Sequence, residues 1–372
     1  MVIAIDLTSL SWHLTGIERY AMCVADKMID IDDKNTYVLL FRNEVLPLFK
    51  DRIDGTRIKA EILYGSNKLL FLQFTLLKTL WKINADKYIF FAFPGPMFFK
   101  HSGIINTIHD MGAWDSSDEM TILSKYYFRL SYRHAARVSE RIITVSEFSK
   151  RRIHTILGVP ENKIKVVNSA VYEGIICCEN IPFEYVKSEY NLPDKYIMTL
   201  STLEPRKNMV LLLEAFNNVA DKVDYDLVLV GRKGWKMDDV LGKYKAKERI
   251  HMTGFVKDEH ISSIYKNALC FVFPSLYEGF GLPPVEALAL GSPVLSSDAA
   301  SLPEILMEQA YYFHSNSIIE LENLLTNLEN IIHSLPCELN EFQKENYRFD
   351  SAAKKVLSYI EENYENRDTS VR

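Results

Sequence analysis

The most constraining segment of this chain runs from Phe273 to Leu288 and has the sequence FPSLYEGFGLPPVEAL. Its apolar start predicts a strand that ends at Phe273, and Pro283-Pro284 preset the first turn of a helix. The two glycines of the turn between them let the backbone approach a ligand closely, and the free N–H groups of a helix start suit an anion. The residues of this turn that we expect to bind a ligand are Gly279, Phe280, Gly281 and Leu282.

Two carboxylates belong to the same segment, Glu278 in the turn and Glu286 in the following helix, with seven residues between them. Carboxylates accept hydrogen bonds from paired hydroxyls, so the two side chains can bracket a polyhydroxylated ligand. For either glutamate alone, stabilisation of the positive end of the helix dipole is the alternative explanation. The coincidence of strand, glycine turn, proline pair and spaced carboxylates favours a ligand site.

A second segment, from Leu200 to Met209, has the sequence LSTLEPRKNM and directly follows another predicted strand. Asn208 is predicted to cap the next helix. Arg206 and Lys207 then lie beside the positive end of that helix, where two cations and free backbone donors form a diphosphate site without a metal. A solvated basic turn is the alternative.

Short apolar runs alternate with amphipathic runs along the chain, which predicts parallel sheets covered by helices on both faces. The strands predicted in the first half are Val2–Asp6, Tyr37–Phe41, Ile58–Tyr64, Tyr88–Phe91, Ile104–Ile108, Ile142–Val145 and Ile164–Val167. The helices predicted between them are Gly16–Ile29, Phe71–Ile83, Asp118–Val138 and Phe148–Ile156. The strands predicted in the second half are Tyr196–Leu200, Asp226–Val230, Ile250–Met252, Cys270–Phe273 and Pro293–Ser296.

This pattern predicts an α/β fold with two Rossmann-like domains, one over residues 1–172 and one over residues 173–350. A C-terminal helix over residues 351–372 is expected to pack back on the first domain. The two parallel sheets are expected to face a deep interdomain cleft, and ligands of such sheets bind at the carboxyl ends of the strands.

Composition excludes several classes of protein. A net charge of −6 over 372 residues argues against a general nucleic-acid-binding protein. The five cysteines lack CxxC spacing, so neither a disulfide framework nor a zinc site is predicted, and a reducing cytoplasm fits best. The apolar start at Met1 predicts a buried strand rather than a signal peptide, and no sequence window reaches the roughly 18 apolar residues of a spanning helix.

Together these motifs resemble those of a known family, the retaining GT-B glycosyltransferases of the family 4 type, which include lipopolysaccharide and capsule mannosyltransferases. The resemblance covers nearly the whole chain. The matching segments are Thr15-Gly16-Ile17-Glu18-Arg19-Tyr20, Ser146-Glu147-Phe148-Ser149-Lys150, Glu204-Pro205-Arg206-Lys207-Asn208, Thr253-Gly254-Phe255-Val256 and the pair Glu278 and Glu286.

The resemblance implies a role for each charged residue of the two segments described first. Arg206 and Lys207 would hold the diphosphate of a nucleotide-sugar donor. Glu286 would bind the ribose hydroxyls, and Glu278 would bind the hydroxyls of the transferred sugar.

The resemblance also assigns residues outside those segments. The turn Gly254-Phe255-Val256 would offer backbone groups to the nucleotide base. His109 follows a predicted strand, where the family places a histidine against the donor sugar, and a histidine satisfied by local backbone is the alternative. Gly16 lies after the first strand, where a glycine lets the loop pass close to phosphate or acceptor, unless it simply starts the helix.

The reaction implied by the resemblance is transfer of a hexose, with the anomeric configuration retained, to a hydroxyl of a glycan or lipid-linked glycan. GDP-mannose is the first choice of donor, UDP-sugars are the second, and no metal or other cofactor is expected. A nucleotide-sugar epimerase of the same architecture and a non-catalytic glycan-binding subunit stay open as alternatives. The sequence specifies neither the base, the acceptor nor the linkage.

Three further patterns were weighed. Asp30-Ile31-Asp32 matches the DxD of metal-dependent transferases, but its polar surroundings predict a solvated turn. The apolar helix from Leu69 to Trp81 is predicted to be core rather than membrane contact. A basic stripe can face anionic lipid headgroups, which would place the protein peripherally on the inner face of the cell membrane, and a solvated face is the alternative. The stripe consists of Arg129, Arg133, Arg137 and Arg141.

Overall fold

The fold is taken from a computed structural model of the chain. It describes residues 1–11, 14–65, 70–116, 120–176, 181–200, 204–231, 242–334 and 336–368. The chain forms two compact units: unit 1 comprises Met1–Ala170 and Glu345–Arg372, and unit 2 comprises Val171–Lys344.

Unit 1 is built on a parallel sheet that has seven strands within the described residues, in the order β3-β2-β1-β4-β5-β6-β7. The strands are β1 Val2–Asp6, β2 Thr36–Arg42, β3 Ile58–Leu63, β4 Lys87–Phe90, β5 Ile104–Thr107, β6 Arg141–Thr144 and β7 Ile164–Val166. Strand order reverses between β1 and β4. A crevice for ligands forms at such a reversal, outside the carboxyl ends of the strands.

The helices of unit 1 begin and end at recognisable signals. Glu18 Oε2 accepts from the backbone N–H of Thr15 at 2.9 Å at the start of helix α1 (Gly16–Ile31). Helix α6 (Glu147–Leu157) ends at Gly158 in the left-handed conformation. The long C-terminal helix α16 (Phe349–Asp368) packs against α1. The helices are α1 Gly16–Ile31, α2 Pro47–Lys50, a π-helical segment Phe71–Leu76 continuing into α3 Leu77–Lys82, α4 Gly112–Asp115, α5 Ile122–Val138, α6 Glu147–Leu157, a 3-10 turn Glu161–Lys163 and α16 Phe349–Asp368.

Unit 2 repeats this architecture with six parallel strands, counted over its described residues, in the order β10-β9-β8-β11-β12-β13. The strands are β8 Tyr196–Leu200, β9 Asp226–Val230, β10 Ile250–Gly254, β11 Phe271–Phe273, β12 Val294–Ser297 and β13 Ala310–Phe313. Here the order reverses between β8 and β11. Their carboxyl ends are therefore the expected ligand-binding edge of unit 2.

The helices of unit 2 cover both faces of this sheet, and a core that includes Leu213, Phe216, Leu227 and Val272 is buried against it. The helices are α7 Glu173–Ile176, α8 Phe183–Tyr190, a 3-10 turn Pro205–Lys207, α9 Met209–Val219, 3-10 turns Ala220–Lys222 and Lys247–Arg249, α10 Asp258–Asn267, α11 Leu282–Ala289, α12 Leu302–Leu306, α13 Ile318–Thr326, α14 Leu328–Ile331, a 3-10 turn Ile332–Ser334 and α15 Glu341–Asn346.

The structure departs from the sequence prediction at several places. Along the sequence, the boundaries between the units fall after Ala170 and after Lys344, where 172 and 350 were predicted, so that the buried residues Tyr347 and Phe349 belong to unit 1. Strand β13 was missed, because its sequence AYYF is short and its two middle residues are exposed or half-buried between buried ends, so it has neither an apolar run nor a regular alternation. In the part of the chain that the structure describes, no helix combines the length and apolar character needed to cross a bilayer.

The prediction of a solvated turn at Asp30-Ile31-Asp32 is wrong for Asp32, whose side chain is buried. Its carboxylate accepts hydrogen bonds from Tyr37 and Asn35 between α1 and β2. Burial raises the pKa of Asp32, but these hydrogen bonds outweigh it and the pKa lies below its usual value. Asp30 instead forms an ion pair with Arg52. The two carboxylates thus stabilise the fold of unit 1.

Candidate active site

The predicted diphosphate segment and the predicted carboxylate segment meet in unit 2. β8 and β11 are neighbours in the sheet, so the loops that follow them lie side by side. The backbone N–H of Leu276 donates to the carbonyl of Arg206 at 2.7 Å, which ties the two loops together. The reversal of strand order therefore brings together residues that are about seventy positions apart.

Four charged side chains, Glu204, Arg206, Lys207 and Glu278, form what we call the charge cluster. Lys207 Nζ lies 2.6 Å from Glu278 Oε1, and Arg206 Nη1 lies 3.5 Å from Glu278 Oε2. Arg206 Nε also pairs with Glu204 Oε2 at 2.9 Å. Glu278 is only 8% exposed, so its ion pair with Lys207 is better shielded from water than a surface pair.

Serine residues hold Glu278 in this position. Ser275 Oγ donates to Glu278 Oε1 at 2.7 Å, and Ser301 Oγ donates to the Glu278 carbonyl at 3.0 Å. Sequence analysis assigned no role to either serine. The spacing of Ser275 and Glu278, with two residues between them, is that of a capping box, and this signal could have found Ser275.

The glycine turn needs its glycine at position 281. Gly281 precedes α11 with a φ of 90°, a conformation that side chains disfavour. A Cβ there would lie 2.5 Å from Leu302 Cδ2. Phe280 is buried beside it, and Leu282 is the first residue of α11. Gly279 completes the link between Glu278 and this helix start.

The predicted capping role of Asn208 is wrong. Asn208 precedes α9, but its backbone is left-handed and its side chain does not cap the helix. The Nδ2 atom instead donates to the carbonyl of Ser315 at 2.9 Å, which ties the start of α9 to the loop after β13. The side chain therefore leaves the N–H groups at the start of α9 available to another partner.

Glu286 lies in α11 and is buried. It is close enough to Tyr265 for its charge to raise the pKa of that phenol, although burial is the larger cause. Tyr265 donates to the carbonyl of Pro283 at 3.4 Å, in the first turn of the same helix. Both carboxylates of the predicted pair thus belong to the segment that follows β11.

The turn Gly254-Phe255-Val256 begins at the last residue of β10, a strand that the sheet order places two strands away from β8. The Gly254 carbonyl accepts from the backbone N–H of Gly231 at 3.1 Å. Phe255 is 59% exposed, whereas Val256 is buried. The structure thus presents an aromatic ring at this turn, in addition to the backbone groups that were predicted.

His109 follows β5 of unit 1 and is partly buried. Its Nε2 atom lies 2.8 Å from the carbonyl oxygen of Phe91, and its ring makes an edge contact with Tyr20. Because a carbonyl can only accept, Nε2 carries the proton and Nδ1 is the acceptor of the neutral ring. Burial lowers the pKa of His109, although the Phe91 carbonyl partly opposes this shift. The ring is therefore a neutral hydrogen-bonding group at pH 7.

Gly16 is the first residue of α1 and is exposed to solvent. Its φ is not positive, so the backbone alone does not require glycine at this position. It lies at the N-terminal end of a 16-residue helix, after the loop that follows β1. This placement is compatible with both roles considered for Gly16.

The charge cluster can bind a ligand that is anionic at one end and hydroxylated at the other. Two cations suit a diphosphate, and Glu278 between them suits hydroxyl donors. Among the described residues, no group of three or more His, Cys, Asp or Glu side chains is arranged to hold a metal ion. Arg206 and Lys207 are the cations of the charge cluster.

Comparison with protein families gives one match within this region. Residues 181–356 match the family model described as glycosyl transferases group 1. The matched segment contains the charge cluster, the glycine turn and Glu286. The resemblance to glycosyltransferases of the family 4 type is thereby confirmed.

Comparison with known protein sequences finds relatives that are named as mannosyltransferases. The chain is 28% identical to O-antigen chain mannosyltransferase B of Escherichia coli over 333 residues, 83% of this chain and 85% of that protein. It is 30% identical to the serotype-specific mannosyltransferase WbdA of Escherichia coli over 210 residues, 53% of this chain. It spans about a quarter (26%) of the length of that second relative.

Solved structures resemble the chain over its full length. A glycosyltransferase from Rickettsia africae ESF-5 aligns with a TM-score of 0.67 at 16% identity, covering 97% of this chain and 98% of that one. HepE from Anabaena, in complex with UDP and glucose, aligns with a TM-score of 0.63 at 16% identity and covers all of both chains. The predicted fold class, GT-B with two parallel-sheet α/β domains, is confirmed.

Proposed function

We propose that the chain transfers a mannosyl group from a nucleotide sugar to a glycan, on the basis of the match of residues 181–356 to the glycosyl transferases group 1 model. The family match, together with a mannosyltransferase relative that aligns over 83% of this chain, identifies the chain as a glycosyltransferase. The observation that carries the finer proposal is the meeting of Arg206, Lys207 and Glu278 at the reversal of strand order in unit 2.

The two cations act on the leaving group in this proposal. As the bond between the anomeric carbon and the diphosphate breaks, negative charge develops on the phosphate, and Arg206 and Lys207 stabilise it. The acceptor hydroxyl attacks the anomeric carbon on the face that the diphosphate leaves, and its proton passes to the departing phosphate. The anomeric configuration is thereby retained without an enzyme nucleophile, unlike the paired-carboxylate hydrolases.

The remaining residues position the donor. Glu278 accepts hydrogen bonds from the hydroxyls of the transferred sugar, and Glu286 accepts them from the ribose. The turn Gly254-Phe255-Val256 contacts the base, and the exposed Phe255 ring offers it a stacking surface. Neutral His109 in unit 1 binds the sugar through Nδ1, which is an acceptor because Nε2 bonds Phe91.

Donor and acceptor are proposed by similarity. The Escherichia coli relatives are O-antigen and serotype-specific mannosyltransferases, which supports GDP-mannose and an acceptor in surface polysaccharide synthesis. The acceptor is then a glycan or a lipid-linked glycan. HepE binds UDP, which makes UDP-sugars the second choice.

The first experiment is a thermal-shift series with GDP, UDP and ADP on the full chain. A ligand present at one hundred times its dissociation constant adds about 2.7 kcal/mol to stability, so a bound nucleoside diphosphate is readily detected. We expect GDP to give the largest shift. Absence of a shift with all three nucleotides would contradict the proposed donor site.

The second experiment is a time course with GDP-mannose and octyl α-mannoside as the acceptor probe. We expect free GDP and a disaccharide whose new linkage is α by proton NMR, and we expect both in the presence of EDTA. Conversion of GDP-mannose into another nucleotide sugar would instead identify an epimerase. Loss of turnover in EDTA that manganese restores would contradict metal independence.

A further inference from the structure

Helix α5 of unit 1 exposes four of its large apolar side chains to solvent. Its buried residues are the small Ser131 and Ala135. An amphipathic helix of a globular protein normally buries its apolar stripe. The exposed apolar residues of α5 are Ile122, Leu123, Tyr126 and Leu130.

The helical segment before β4, which comprises Phe71–Leu76 and α3, also exposes large apolar side chains on one of its sides. The prediction that this helix is core is correct for Leu76, Leu77 and Leu80, which are buried, but it is wrong for Leu70 and Trp81, which are exposed. Leu69 lies outside the described residues. Phe74 is 67% exposed and Trp81 is 64% exposed. This segment therefore has a second apolar side that no part of unit 1 covers.

These two helical segments are joined by the loop that follows β4. Gln73 Oε1 accepts from the backbone N–H of Met97 at 3.2 Å, and the Gln73 side chain lies beside Tyr127 of α5. Phe93 of the loop contacts Phe128 of α5, with ring centroids 6.4 Å apart. We call the exposed residues of these three neighbouring segments the apolar face, which comprises Phe74, Trp81, Phe98, Ile122, Leu123, Tyr126 and Leu130.

The charge of these segments is opposite to that of the chain. The chain carries a net charge of −6, yet residues 70–83, 91–101 and 122–138 contain no Asp or Glu. Their basic residues are Lys78, Lys82, Lys100, Lys125, Arg129, Arg133 and Arg137. Acidic residues occur only outside these three ranges, as at Asp115, Asp118 and Glu119 before α5. An apolar face whose own segments carry only basic charges is complementary to a surface that is apolar inside and anionic outside.

The basic stripe of arginines accounts for only part of the positive charge around the apolar face. Arg129 Nε donates to the carbonyl of Ala113 at 2.8 Å, and the guanidinium groups of Arg129 and Arg133 lie over the ring of Trp114. Arg141 bonds the carbonyl of Asn162 at 2.9 Å. Part of the stripe is thus used within unit 1, whereas Lys78, Lys82 and Lys100 are exposed.

We propose that the apolar face inserts into the headgroup region of an anionic lipid bilayer, with the surrounding lysines and arginines on the lipid phosphates. Aromatic and aliphatic side chains beside lysines are the composition of helices that lie in such interfaces. Basic residues near an anionic leaflet add electrostatic attraction that an uncharged apolar protein surface would not provide. The proposal concerns unit 1 alone and does not depend on glycosyl transfer.

The test is flotation of the full chain with vesicles, without nucleotide or acceptor. We expect binding to vesicles of phosphatidylcholine mixed with phosphatidylglycerol, and not to phosphatidylcholine alone. The variant Trp81→Ser/Leu123→Ser should lower the bound fraction by about tenfold or more, because it removes two apolar anchors. Both side chains are exposed, so the melting temperature should not change.

The matched control is Ile319→Ser/Phe342→Ser, which removes exposed apolar side chains of unit 2 that are 66% and 50% exposed. This variant should float as the unaltered protein does. Lys78→Gln/Lys82→Gln should weaken binding to anionic vesicles in the same direction as added salt. Failure of the unaltered protein to bind anionic vesicles, equal loss in the control, or a vesicle-independent dimer that Trp81→Ser/Leu123→Ser dissociates would overturn the proposal.

Discussion

The carboxyl ends of the two sheets have the same topology but differ in charge. In unit 2, the loops after β8 and β11 bring together two cations and two carboxylates, with Lys207 and Glu278 in direct contact. In unit 1, Asp6 ends β1, and His109 and Asp110 follow β5 at the corresponding edge. Burial lowers the pKa of His109, which favours its neutral ring. Burial also raises the pKa of Asp6, although its carboxylate accepts hydrogen bonds from the backbone N–H and the hydroxyl of Thr8.

The different charges at these two edges suit two different parts of a nucleotide-sugar ligand. Ionised groups in close pairs suit a diphosphate, whose charge must be balanced when it leaves. Neutral donors and acceptors suit sugar hydroxyls, which exchange hydrogen bonds without a charge. In the proposed function, the charge cluster binds the diphosphate and neutral His109 exchanges a hydrogen bond with a sugar hydroxyl.

The largest effect is expected from removing both cations of the charge cluster. In Arg206→Ala/Lys207→Ala, each lost charge-assisted bond is worth about 1.5 to 3 kcal/mol, so affinity for GDP or UDP should fall by about 100-fold or more. Isothermal titration calorimetry measures this. The fold should be retained because Arg206 is partly exposed and both residues follow the strand rather than form part of it.

Lys195 provides the matched control at the opposite end of β8. Its Nζ atom pairs with Asp224 at 2.7 Å, so Lys195→Ala also removes a paired lysine beside the same strand. Nucleotide affinity should not change in this variant. Equal losses in both variants would mean that the charge cluster is not the diphosphate site.

The next largest effect is expected from Glu278→Gln, which tests whether this carboxylate acts on the sugar. Turnover should fall by about tenfold to 150-fold if Glu278 bonds the sugar hydroxyls in the transition state. Nucleotide affinity should stay level or rise, since Lys207 and Arg206 lose an anionic competitor for the phosphate.

Glu204→Gln is the control for charge, because Glu204 also pairs with Arg206 but is not held by Ser275. It should alter nucleotide affinity in the same direction without a comparable loss of turnover. If Glu278→Gln keeps full turnover, the carboxylate is only a structural partner of the two cations.

The sequence predicted the two segments of the charge cluster, although it missed β13 of the same unit, and the reason for this success is physical. The charge cluster comes from two short segments whose motifs are local, and sheet topology then determines that they meet. What escaped prediction depends on contacts between distant loops. Ser301 reaches the Glu278 carbonyl, and Asn208 bonds Ser315 rather than its own helix. The outward face of α5 escaped prediction for the same reason, since periodicity identifies an apolar side but not what covers it.

A smaller effect, on stability, is expected from replacing by alanine a glycine with left-handed backbone in each unit, because the two glycines differ in their surroundings. Gly281 in unit 2 and Gly158 in unit 1 have φ values of 90° and 67°. A Cβ at Gly281 meets Leu302, whereas nothing lies within 4 Å of one at Gly158. Both alanine variants incur backbone strain of about 1 to 3 kcal/mol, and Gly281→Ala adds the cost of moving Leu302. Denaturant midpoints should therefore rank Gly281→Ala below Gly158→Ala, and the reverse order would contradict the close packing of the turn.

The smallest effect on turnover is expected from replacing His109, and it tests whether the neutral imidazole of His109 is the form that binds the sugar. Because burial lowers its folded-state pKa from an ordinary value of about 6.5, the unfolded chain binds more protons between those two values. Stability therefore falls as the pH drops through that window, and turnover that needs neutral Nδ1 should fall with it while staying level above pH 7. His109→Gln should abolish this fall of turnover at low pH, the acid limb of the pH profile. It should lower turnover by only about twofold to tenfold, which is the worth of one neutral hydrogen bond.

His154→Gln, which removes another histidine bonded to a backbone carbonyl of unit 1, should keep the acid limb. An acid limb that survives in His109→Gln would assign the titration to another group and remove His109 from the comparison.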